Sequence, residues 1–498
     1  MLQKNSNSLS SGAVIMVAMR WIDRFIGIAS TFILARLLVP DDFGIVAMAS
    51  VVVAFADIIF DLGINVALIQ HKNPSQAYYN TAWTLRMLQA SSTVLIVWML
   101  APYAADYFHD PRISAVLTIA SFGSLIAACE NIGVVTFQKE LRADLDLILT
   151  FSKRITGFIV TISIAWLLES YWALVIGTLS GRAVGVILSY RMHPMRARPS
   201  LEKFREIFGV SQWMLINSIG NYINNNVQKL LIGRIGTAAM VGSYTLADEI
   251  SAMPSSEILS PINRVLFPAF VRAKHDLAEL KRLFLLAQGV QCLIAIPASL
   301  GLALVAQDTV LVLLGAKWMQ VVPLIQVLAL SNIVQAVTSS SGYVLLALAR
   351  NRSASLTAWV QAAIFIVGGT LLMVHYPDIM AIAWLRLASV SAGLVKAVWM
   401  LMHNLRNVRL REMAVNVLRP LLGVLAMGLA IYGIKHNLPM PPVATLLVTV
   451  PLGMLVYTVT VMAFWHLAGR PASAETFLLD KVLLVTRHLN KRRTRSAE

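Results

Sequence analysis

The sequence predicts an all-α integral membrane protein with about 14 transmembrane helices. Of the 498 residues, 57% are hydrophobic and only 13% are charged, which is about half the charged fraction of a typical soluble protein. The mean hydropathy is +0.71. Apolar runs long enough to cross the roughly 30 Å hydrocarbon core recur along the whole chain, and basic residues concentrate on alternate connections between them.

Fourteen apolar runs define the predicted spans. The first follows "MLQKNSNSLSSG", and no small-residue cleavage site comes after a short apolar core, so we expect a retained helix and not a signal peptide. The approximate spans are 12–38, 43–69, 81–104, 113–136, 147–168, 171–190, 208–233, 242–270, 283–305, 322–349, 355–374, 379–402, 413–434 and 443–468.

The distribution of basic residues predicts the orientation of the chain. The net charge is +16, but position matters more than the sum, and the pattern does not indicate a nucleic-acid partner. Most Lys and Arg lie at the N-terminus, on every second connection and in the C-terminal tail. The intervening connections hold only Arg112, Arg234, Lys317 and Lys435. The positive-inside rule therefore places both termini in the cytoplasm and favours an even number of spans.

The chain contains a weak internal repeat. "ILARLLVPDDFGIVAMA" (residues 33–49) aligns without a gap to "LIGRIGTAAMVGSYTLA" (residues 231–247), and the alignment matches Gly44 with Gly242. Both segments fall at an outward-facing turn, and they are six spans apart. Because an even number of spans separates them, the two halves have the same orientation in the membrane and the repeat is parallel. We expect two pseudo-symmetric six-helix lobes and two further helices. The predicted divisions are 1–207, 208–412, 413–468 and a basic cytoplasmic tail at 469–498.

The connections leave no room for a folded soluble domain. No metal-ligand spacing, phosphate-binding glycine loop or nucleophile motif occurs where it could function, so we expect no metal, no cofactor and no enzyme activity. Cys129 and Cys292 both fall inside spans, which argues against a disulfide framework. The tail has apolar residues at roughly helical spacing before a basic cluster. It is either an amphipathic helix on anionic lipid or a solvated tail.

The first predicted helix carries three charges within the bilayer. At 100° per residue, Arg20, Asp23, Arg24, Gly27 and Thr31 share one face. Each charge costs about 2.5–3.5 kcal/mol at the centre of a membrane helix. These side chains must therefore face protein or water, and a substrate or ion path is the default functional hypothesis for them.

Interhelical ion pairs are the structural alternative for these charges. If the turn between the first two helices is centred near Asp41, antiparallel packing brings Arg24 level with Asp57 and Arg20 level with Asp61. Asp57 and Asp61 share a helix face because they are four residues apart. Ion pairing and a role in transport do not exclude each other.

The seventh and eighth spans are also unusually polar. We expect both, together with the first and second helices, to line a central cavity, because irregular backbone at membrane depth is tolerated there. The prolines of the eighth span are seven residues apart and should bend or break the helix, unless they serve packing alone. The seventh span carries Asn217, Asn221, Asn224, Asn225, Asn226, Gln228 and Lys229; the eighth carries Asp248, Glu249, Glu257, Arg264, Pro254, Pro261 and Pro268.

Four basic residues lie nearer the predicted cytoplasmic ends of their helices: Arg86, Arg182, Arg264 and Lys396. Together they would form a cytoplasm-facing vestibule that attracts an anion. Snorkelling of the long side chains to the interface is the alternative, and we favour it for Arg86 and Lys396.

Several stretches resemble a known family. "ARLLVPDDFGIVAMASVVVAFADIIFDLG", "ALIQHKNPSQ", "YFHDPRI", the repeat "LIGRIGTAAMVGSYTLA" and "LLGAKWMQVVPLIQVLAL" are similar to the polysaccharide transporter family of the multidrug/oligosaccharidyl-lipid/polysaccharide flippase superfamily. Within it, the chain most resembles bacterial exporters of exopolysaccharide or O-antigen units, of the colanic acid and succinoglycan type. The resemblance extends to about the twelfth helix.

The resemblance implies a V-shaped pair of lobes in the bacterial inner membrane. These would move an undecaprenyl-pyrophosphate-linked oligosaccharide to the periplasmic leaflet by alternating access, beside a polymerase and a chain-length regulator. Related flippases bind the pyrophosphate in a cationic cavity. The expected substrate group is Arg20, Asp23, Arg24, Asn221, Asn225, Lys229 and Arg264; the expected coupling or ion-pair group is Asp57, Asp61, Asp248, Glu249 and Glu257; the expected hinges are Pro254, Pro261 and Pro268.

Three other classes of membrane protein share some of these features. A cation or drug antiporter of the same superfamily needs an acidic cavity, whereas basic residues outnumber acidic ones within the spans. A major-facilitator transporter carries a basic loop signature between helices two and three, where this chain has "QHKNPSQAYYN". A membrane polymerase or ligase typically has a large outer loop with catalytic Arg or His, and the outer connections here are short.

Overall fold

The computed structural model is mostly helical in the part of the chain that it describes, and no strand occurs there. Helices satisfy their backbone hydrogen-bonding groups within one segment, as a chain in lipid requires. The structure describes residues 21–61, 63–71, 73–140, 142–208, 212–348, 350–405, 408–471 and 473–481.

The helices follow one another as long elements separated by short turns and a few one- to two-turn helices. α1 covers residues 21–37 and α19 covers residues 474–481. The others are α2 Pro40–Ile59, α3 Ile64–Gln70, α4 Gln76–Phe108, α5 Arg112–Ala128, α6 Val135–Lys139, α7 Ala143–Leu168, α8 Trp172–Met192, α9 Phe204–Phe208, α10 Gln212–Ile235, α11 Ala238–Ala273, α12 Leu277–Leu304, α13 Ala306–Leu313, α14 Val321–Ala347, α15 Asn351–His375, α16 Ile379–Asn404, α17 Leu410–Asn437 and α18 Pro442–Leu467.

Among the described helices, 10 are long and apolar enough to cross a membrane. The segments Arg112–Ala128 and Ile132–Lys139, which meet at 67°, form an eleventh candidate as a broken span. Each of the 14 predicted spans overlaps one of the helices. Three of the predicted spans correspond to helices that are not among these candidates, namely α1, α10 and α11. These helices carry the polar residues singled out above. The chain is a multi-pass membrane protein, and the count of 14 crossings stays a prediction.

The chain divides into two compact units, Met1–Thr245 and Leu246–Glu498. In the first, α2 packs against α4, α5 and α10, while α8 packs against α5 and α7. In the second, α12 packs against α14 and α17, α14 also packs against α16, and α17 against α18. The division into lobes at 207, 412 and 468 stays a prediction.

Close packing of α7 and α8 depends on a glycine stripe. Gly177, Gly181 and Gly185 recur at intervals of four residues, so they share one face of α8. A Cβ on Gly181 would approach the Lys153 carbonyl oxygen to 2.6 Å, and one on Gly185 would approach Lys153 Cε to 2.3 Å. Small residues at such positions let membrane helices touch through their backbones. The glycine stripe therefore determines where the side chain of Lys153 extends from α7.

The two glycines matched by the internal repeat contact each other's helices reciprocally. A Cβ on Gly44 would lie 1.7 Å from the Ala238 carbonyl oxygen, and one on Gly242 would lie 1.9 Å from the Pro40 carbonyl oxygen. Pro40 and Ala238 are themselves matched by the repeat. The start of α2 and the start of α11 thus meet, within the first unit, through a contact with local two-fold character.

The turn between α4 and α5 is tied to the start of α2 by an ion-pair cluster. Arg112 Nη1 lies 2.7 Å from Asp41 Oδ2, and Arg112 Nη2 lies 2.7 Å from Asp110 Oδ2. Partial burial opposes ionisation of Asp110, but the hydrogen bonds and charge of Arg112 outweigh it and lower the pKa of Asp110. The neighbouring Asp42 accepts hydrogen bonds from the Val39 and Tyr171 backbone N–H groups, both at 3.1 Å, which caps α2 and holds the start of α8.

α11 is one unbroken helix over Ala238–Ala273. The prolines expected to bend or break it therefore do not divide it into two helices. Pro254 is half-buried and Pro268 is exposed. Their role as hinges stays a prediction, and the side chain of Pro261 lies outside the described residues.

The start of the C-terminal tail is packed onto the second unit. Arg419 Nη1 of α17 lies 3.1 Å from Glu475 Oε1, and the Glu475 side chain is only 6% exposed. The Ser473 hydroxyl donates to Glu475 Oε2 at 2.6 Å. A solvated tail is therefore wrong for residues 473–481, and the basic cluster after them lies outside the described residues.

We predict that Gly44→Ala and Gly242→Ala each destabilise the protein. The added methyl group forces two backbones apart, and overpacking of this kind costs about 1–3 kcal/mol. Thermal unfolding of the purified protein should show a lower midpoint for both variants. Gly342→Ala is the matched control, because no atom lies within 4 Å of a Cβ there. An unchanged midpoint for both test variants would contradict the close contact.

Candidate functional site

One charge of the first helix is paired with a residue of α7. Asp23 Oδ2 lies 2.8 Å from Arg154 Nη1, and both side chains remain partly exposed, at 29% and 39%. Gly27 leaves the space for the guanidinium, since a Cβ there would lie 2.2 Å from Arg154 Nη2. The apolar side chains of Trp21 and Phe25 are exposed at 64% and 71%. The helix is therefore amphipathic, as predicted, and its acidic residue is bound to a cation.

The predicted partner of Asp57 is not the one in the structure. Its carboxylate Oδ2 accepts a hydrogen bond from Ser124 Oγ at 2.9 Å, on α5, instead of pairing with Arg24. Asp61 is exposed and accepts the Gly63 backbone N–H at 2.9 Å. Arg20 lies outside the described residues, so its pairing with Asp61 stays a prediction.

A charged cavity lies inside the first unit, between α2, α4, α5, α7 and α8. Its volume is about 360 Å³. Arg86 and Lys153 are each ten residues from the starts of α4 and α7, which corresponds to about 15 Å along each helix. The polar side chains that line the cavity are Asp57, Arg86, Gln89, Ser124, Glu130, Lys153 and Arg182.

The lysine of the cavity forms a tight ion pair. Lys153 Nζ lies 2.7 Å from Glu130 Oε1 and 2.6 Å from Glu130 Oε2. The Glu130 side chain is 11% exposed and that of Lys153 is 30% exposed. Because little water reaches Glu130, removal of either partner would leave an uncompensated charge in the unit.

The two arginines of the cavity have different surroundings. Arg86 Nη2 donates to the Ala127 carbonyl oxygen at 2.8 Å, which satisfies one of the carbonyls at the end of α5. Arg182 lies against Gly123, where a Cβ would approach Nη1 to 2.5 Å. Both guanidinium groups thus lie inside the unit. The snorkelling expected for Arg86 is therefore wrong, and the cytoplasm-facing vestibule of four basic residues stays a prediction.

The amide-rich helix α10 presents its side chains in two ways. Asn221 and Asn225 are exposed. Asn226 Nδ2 and Gln228 Nε2 donate back to carbonyls of their own helix, at 3.2 and 2.9 Å. Gln228 is only 2% exposed, and its Oε1 accepts no hydrogen bond from any described residue. Asn221 and Asn225 are therefore the exposed amides, whereas Asn226 and Gln228 are hydrogen-bonded within their own helix.

Of the remaining predicted residues, the structure describes the side chains of some and not of others. Lys229 and Asp248 are partly buried, and Glu249 is exposed. The side chains of Glu257 and Arg264 lie outside the described residues. No group of three or more potential metal ligands occurs in the part of the chain that the structure describes. The roles assigned to these residues stay predictions.

Sequence reasoning missed three residues of these clusters: Glu130, Lys153 and Arg154. Lys153 and Arg154 are adjacent cations inside the predicted span 147–168, and that pair of charges was the available signal. On a helix, neighbouring side chains point about 100° apart. The two cations therefore reach different partners, one in the cavity and one on α1.

The fold has a counterpart among solved membrane-protein structures. The chain superposes on the structure described as "Lipid II flippase MurJ, inward closed conformation" with a TM-score of 0.74, covering 91% of this chain and 99% of that one at 11% identity. The chain therefore shares the fold of that structure.

The family is shown by sequence. Residues 33–323 match the family described as "Polysaccharide biosynthesis protein", and the chain belongs to it. The chain is 27% identical to the Escherichia coli lipopolysaccharide biosynthesis protein WzxC, over 65% of this chain and 67% of that protein. It is 24% identical to the succinoglycan biosynthesis transport protein ExoT of Rhizobium meliloti, over 60% and 61%. The predicted relationship to polysaccharide exporters is confirmed.

We predict strong coupling between Lys153 and Glu130. Lys153→Met or Glu130→Gln alone should cost up to about 3 kcal/mol, the low end for buried pairs, because Lys153 retains some exposure. The double variant should be more stable than the sum of the single changes implies. Thermal or denaturant unfolding in detergent measures all four proteins.

The control for this double-mutant cycle is the surface pair Lys203 and Glu206. Lys203 Nζ lies 2.9 Å from Glu206 Oε1. Its single variants should change stability far less than those at Lys153 and Glu130, because this ion pair is surrounded by solvent. Additive effects at Lys153 and Glu130, or equal effects in the two pairs, would contradict the assignment of a buried pair.

Proposed function

We propose that the chain moves lipid-linked oligosaccharide repeat units from the cytoplasmic to the periplasmic leaflet of the bacterial inner membrane. The family match and the names of the relatives support this role in polysaccharide biosynthesis. The observation that carries it is the Arg154–Asp23 pair beside Arg24, because it brings a second arginine to the partly exposed charged face of α1. Such a group suits the diphosphate that links an undecaprenyl lipid to sugars.

The physical problem is the polar head of such a lipid. Sugar hydroxyls and a diphosphate cannot cross hydrocarbon unaided, since each unpaired polar group costs several kcal/mol and each charge more. A hydrated cationic path removes that barrier while the prenyl tail stays in lipid. In this proposal Arg20 and Arg24, with Arg154, hold the diphosphate, and the exposed amides Asn221 and Asn225 bind sugar hydroxyls.

We propose a topology of 14 spans with both termini in the cytoplasm. Two parallel six-helix lobes, 1–207 and 208–412, alternate between inward and outward access, and helices 413–468 are additional. The reciprocal contact of Gly44 and Gly242 supports the repeat. An acidic group such as Asp61 or Asp248 couples the cycle to an ion gradient. The C-terminal tail contacts cytoplasmic lipid headgroups.

The transporter performs no covalent chemistry in this proposal. It receives a finished repeat unit and passes it to a polymerase working with a chain-length regulator. A drug antiporter for cations is disfavoured by the cavity, which holds three cationic and two acidic side chains. The polymerase or ligase alternative is disfavoured by the match of nearly the whole chain to a flippase fold.

We predict that Arg20→Ala together with Arg24→Ala lowers surface polysaccharide to the level of a strain lacking the gene. Arg154→Ala should have the same effect, because the diphosphate loses a cation and Asp23 loses its partner. Polysaccharide on intact cells is quantified along with the amount of folded protein in the membrane. Arg142→Ala is the control, since Arg142 is 53% exposed and pairs with Asp144 at the surface. Normal polymer output from the test variants would refute the assignment.

A further inference from the structure

The cavity inside the first unit has a balanced set of charges. Lys153 and Glu130 neutralise each other at 2.6–2.7 Å. Arg86, Arg182 and Asp57 remain, so the lining as a whole has a net charge of about +1. A metal cation would face three positive groups, and a phosphate would face two carboxylates. The lining therefore disfavours a metal cation, and its neighbouring charges of both signs suit a polar ligand that can both donate and accept hydrogen bonds.

The cavity contains both hydrogen-bond donors and hydrogen-bond acceptors. Asp57 offers carboxylate oxygens, and Arg86 and Arg182 offer several N–H donors, of which Arg86 Nη2 is used on the Ala127 carbonyl. The Gln89 amide makes one long contact, from Nε2 to the Asp57 backbone oxygen at 3.5 Å. Gln89 therefore retains capacity to donate and to accept. A ligand with several hydroxyl groups, each able to donate and accept, matches this mixture.

The size of the cavity limits the ligand. A volume of about 360 Å³ corresponds to about a dozen water molecules. It lies at the lower end of the range of small-molecule sites. One sugar ring fits such a space, whereas a complete oligosaccharide does not.

We propose that this cavity is a binding site for a single glycosyl residue of the saccharide that the protein transports. The inference rests on the proposed function and adds a sugar subsite inside the N-terminal unit, separate from the Asp23–Arg154 pair. Asp57 and Gln89 bind ring hydroxyls, and Arg182 donates to them from α8. The Lys153–Glu130 pair holds α5 and α7 at the separation that keeps the cavity open.

The test uses the full chain purified in detergent and two separate probes. The first is the oligosaccharide released by mild acid from the host strain's lipid-linked repeat unit, without lipid or diphosphate. The second is inorganic diphosphate. Thermal unfolding at increasing probe concentration gives an apparent Kd for each. We expect saturable stabilisation by both probes in the wild-type protein.

Two variants alter the cavity in different ways. Gln89→Leu keeps the size of the side chain and removes its hydrogen bonds, and Ala127→Leu fills space at the cavity wall. Each should raise the apparent Kd for the oligosaccharide by roughly tenfold or more and leave the response to diphosphate unchanged. Thr178→Val is the matched control, because Thr178 is exposed on α8 outside the cavity and bonds only its own helix, to the Leu174 carbonyl at 2.8 Å.

The outcomes separate the two claims. Equal oligosaccharide affinity in the wild type and both cavity variants overturns the sugar subsite and leaves the transport proposal standing. A wild-type protein that is stabilised by diphosphate but not by the oligosaccharide also overturns the sugar subsite and leaves the transport proposal standing. A wild type that responds to neither probe counts against the proposed function itself, and the subsite falls with it.

Discussion

Ionised side chains within apolar helices must be neutralised by neighbours or hydrated, and this constraint governs the packing of the N-terminal unit. α7 meets it with two adjacent cations. Lys153 binds Glu130 at the end of α5, and Arg154 binds Asp23 on α1. One helix thereby fixes the position of two others through charges that are costly to leave unpaired. The cavity lies between α5, α7, α2, α4 and α8, whose polar side chains line it.

Glycine supplies the complementary constraint, because it decides where backbones can touch. On α8 it allows α7 to approach closely enough that the stem of Lys153 passes over Gly185. At the starts of α2 and α11 it allows two repeat-related helices to meet through their carbonyl groups. The charged cavity and the contact between the starts of α2 and α11 therefore depend on small residues as much as on polar ones.

The sequence predicts the helices well and the partners of the charges poorly. Apolar runs identify the long helices because lipid imposes length and composition locally. The predicted partner of Asp57 failed because it assumed an ideal antiparallel register around one turn, whereas Ser124 is 67 positions away in the chain. Glu130 gave no local signal, since it follows α5 in a short bend. The match of Gly44 with Gly242 was visible in the sequence, but their contact required the tertiary structure.

The most direct measurement of the central claim is transbilayer movement of a lipid-linked saccharide in vesicles containing only this protein. Undecaprenyl-diphosphate carrying the host's repeat unit is incorporated into proteoliposomes, and its exposure on each leaflet is followed with an impermeant sugar-oxidising reagent. The account predicts faster equilibration between leaflets than in protein-free vesicles, and loss of that acceleration in Arg154→Ala. Movement no faster than in protein-free vesicles, or an equal rate in Arg154→Ala, would contradict it.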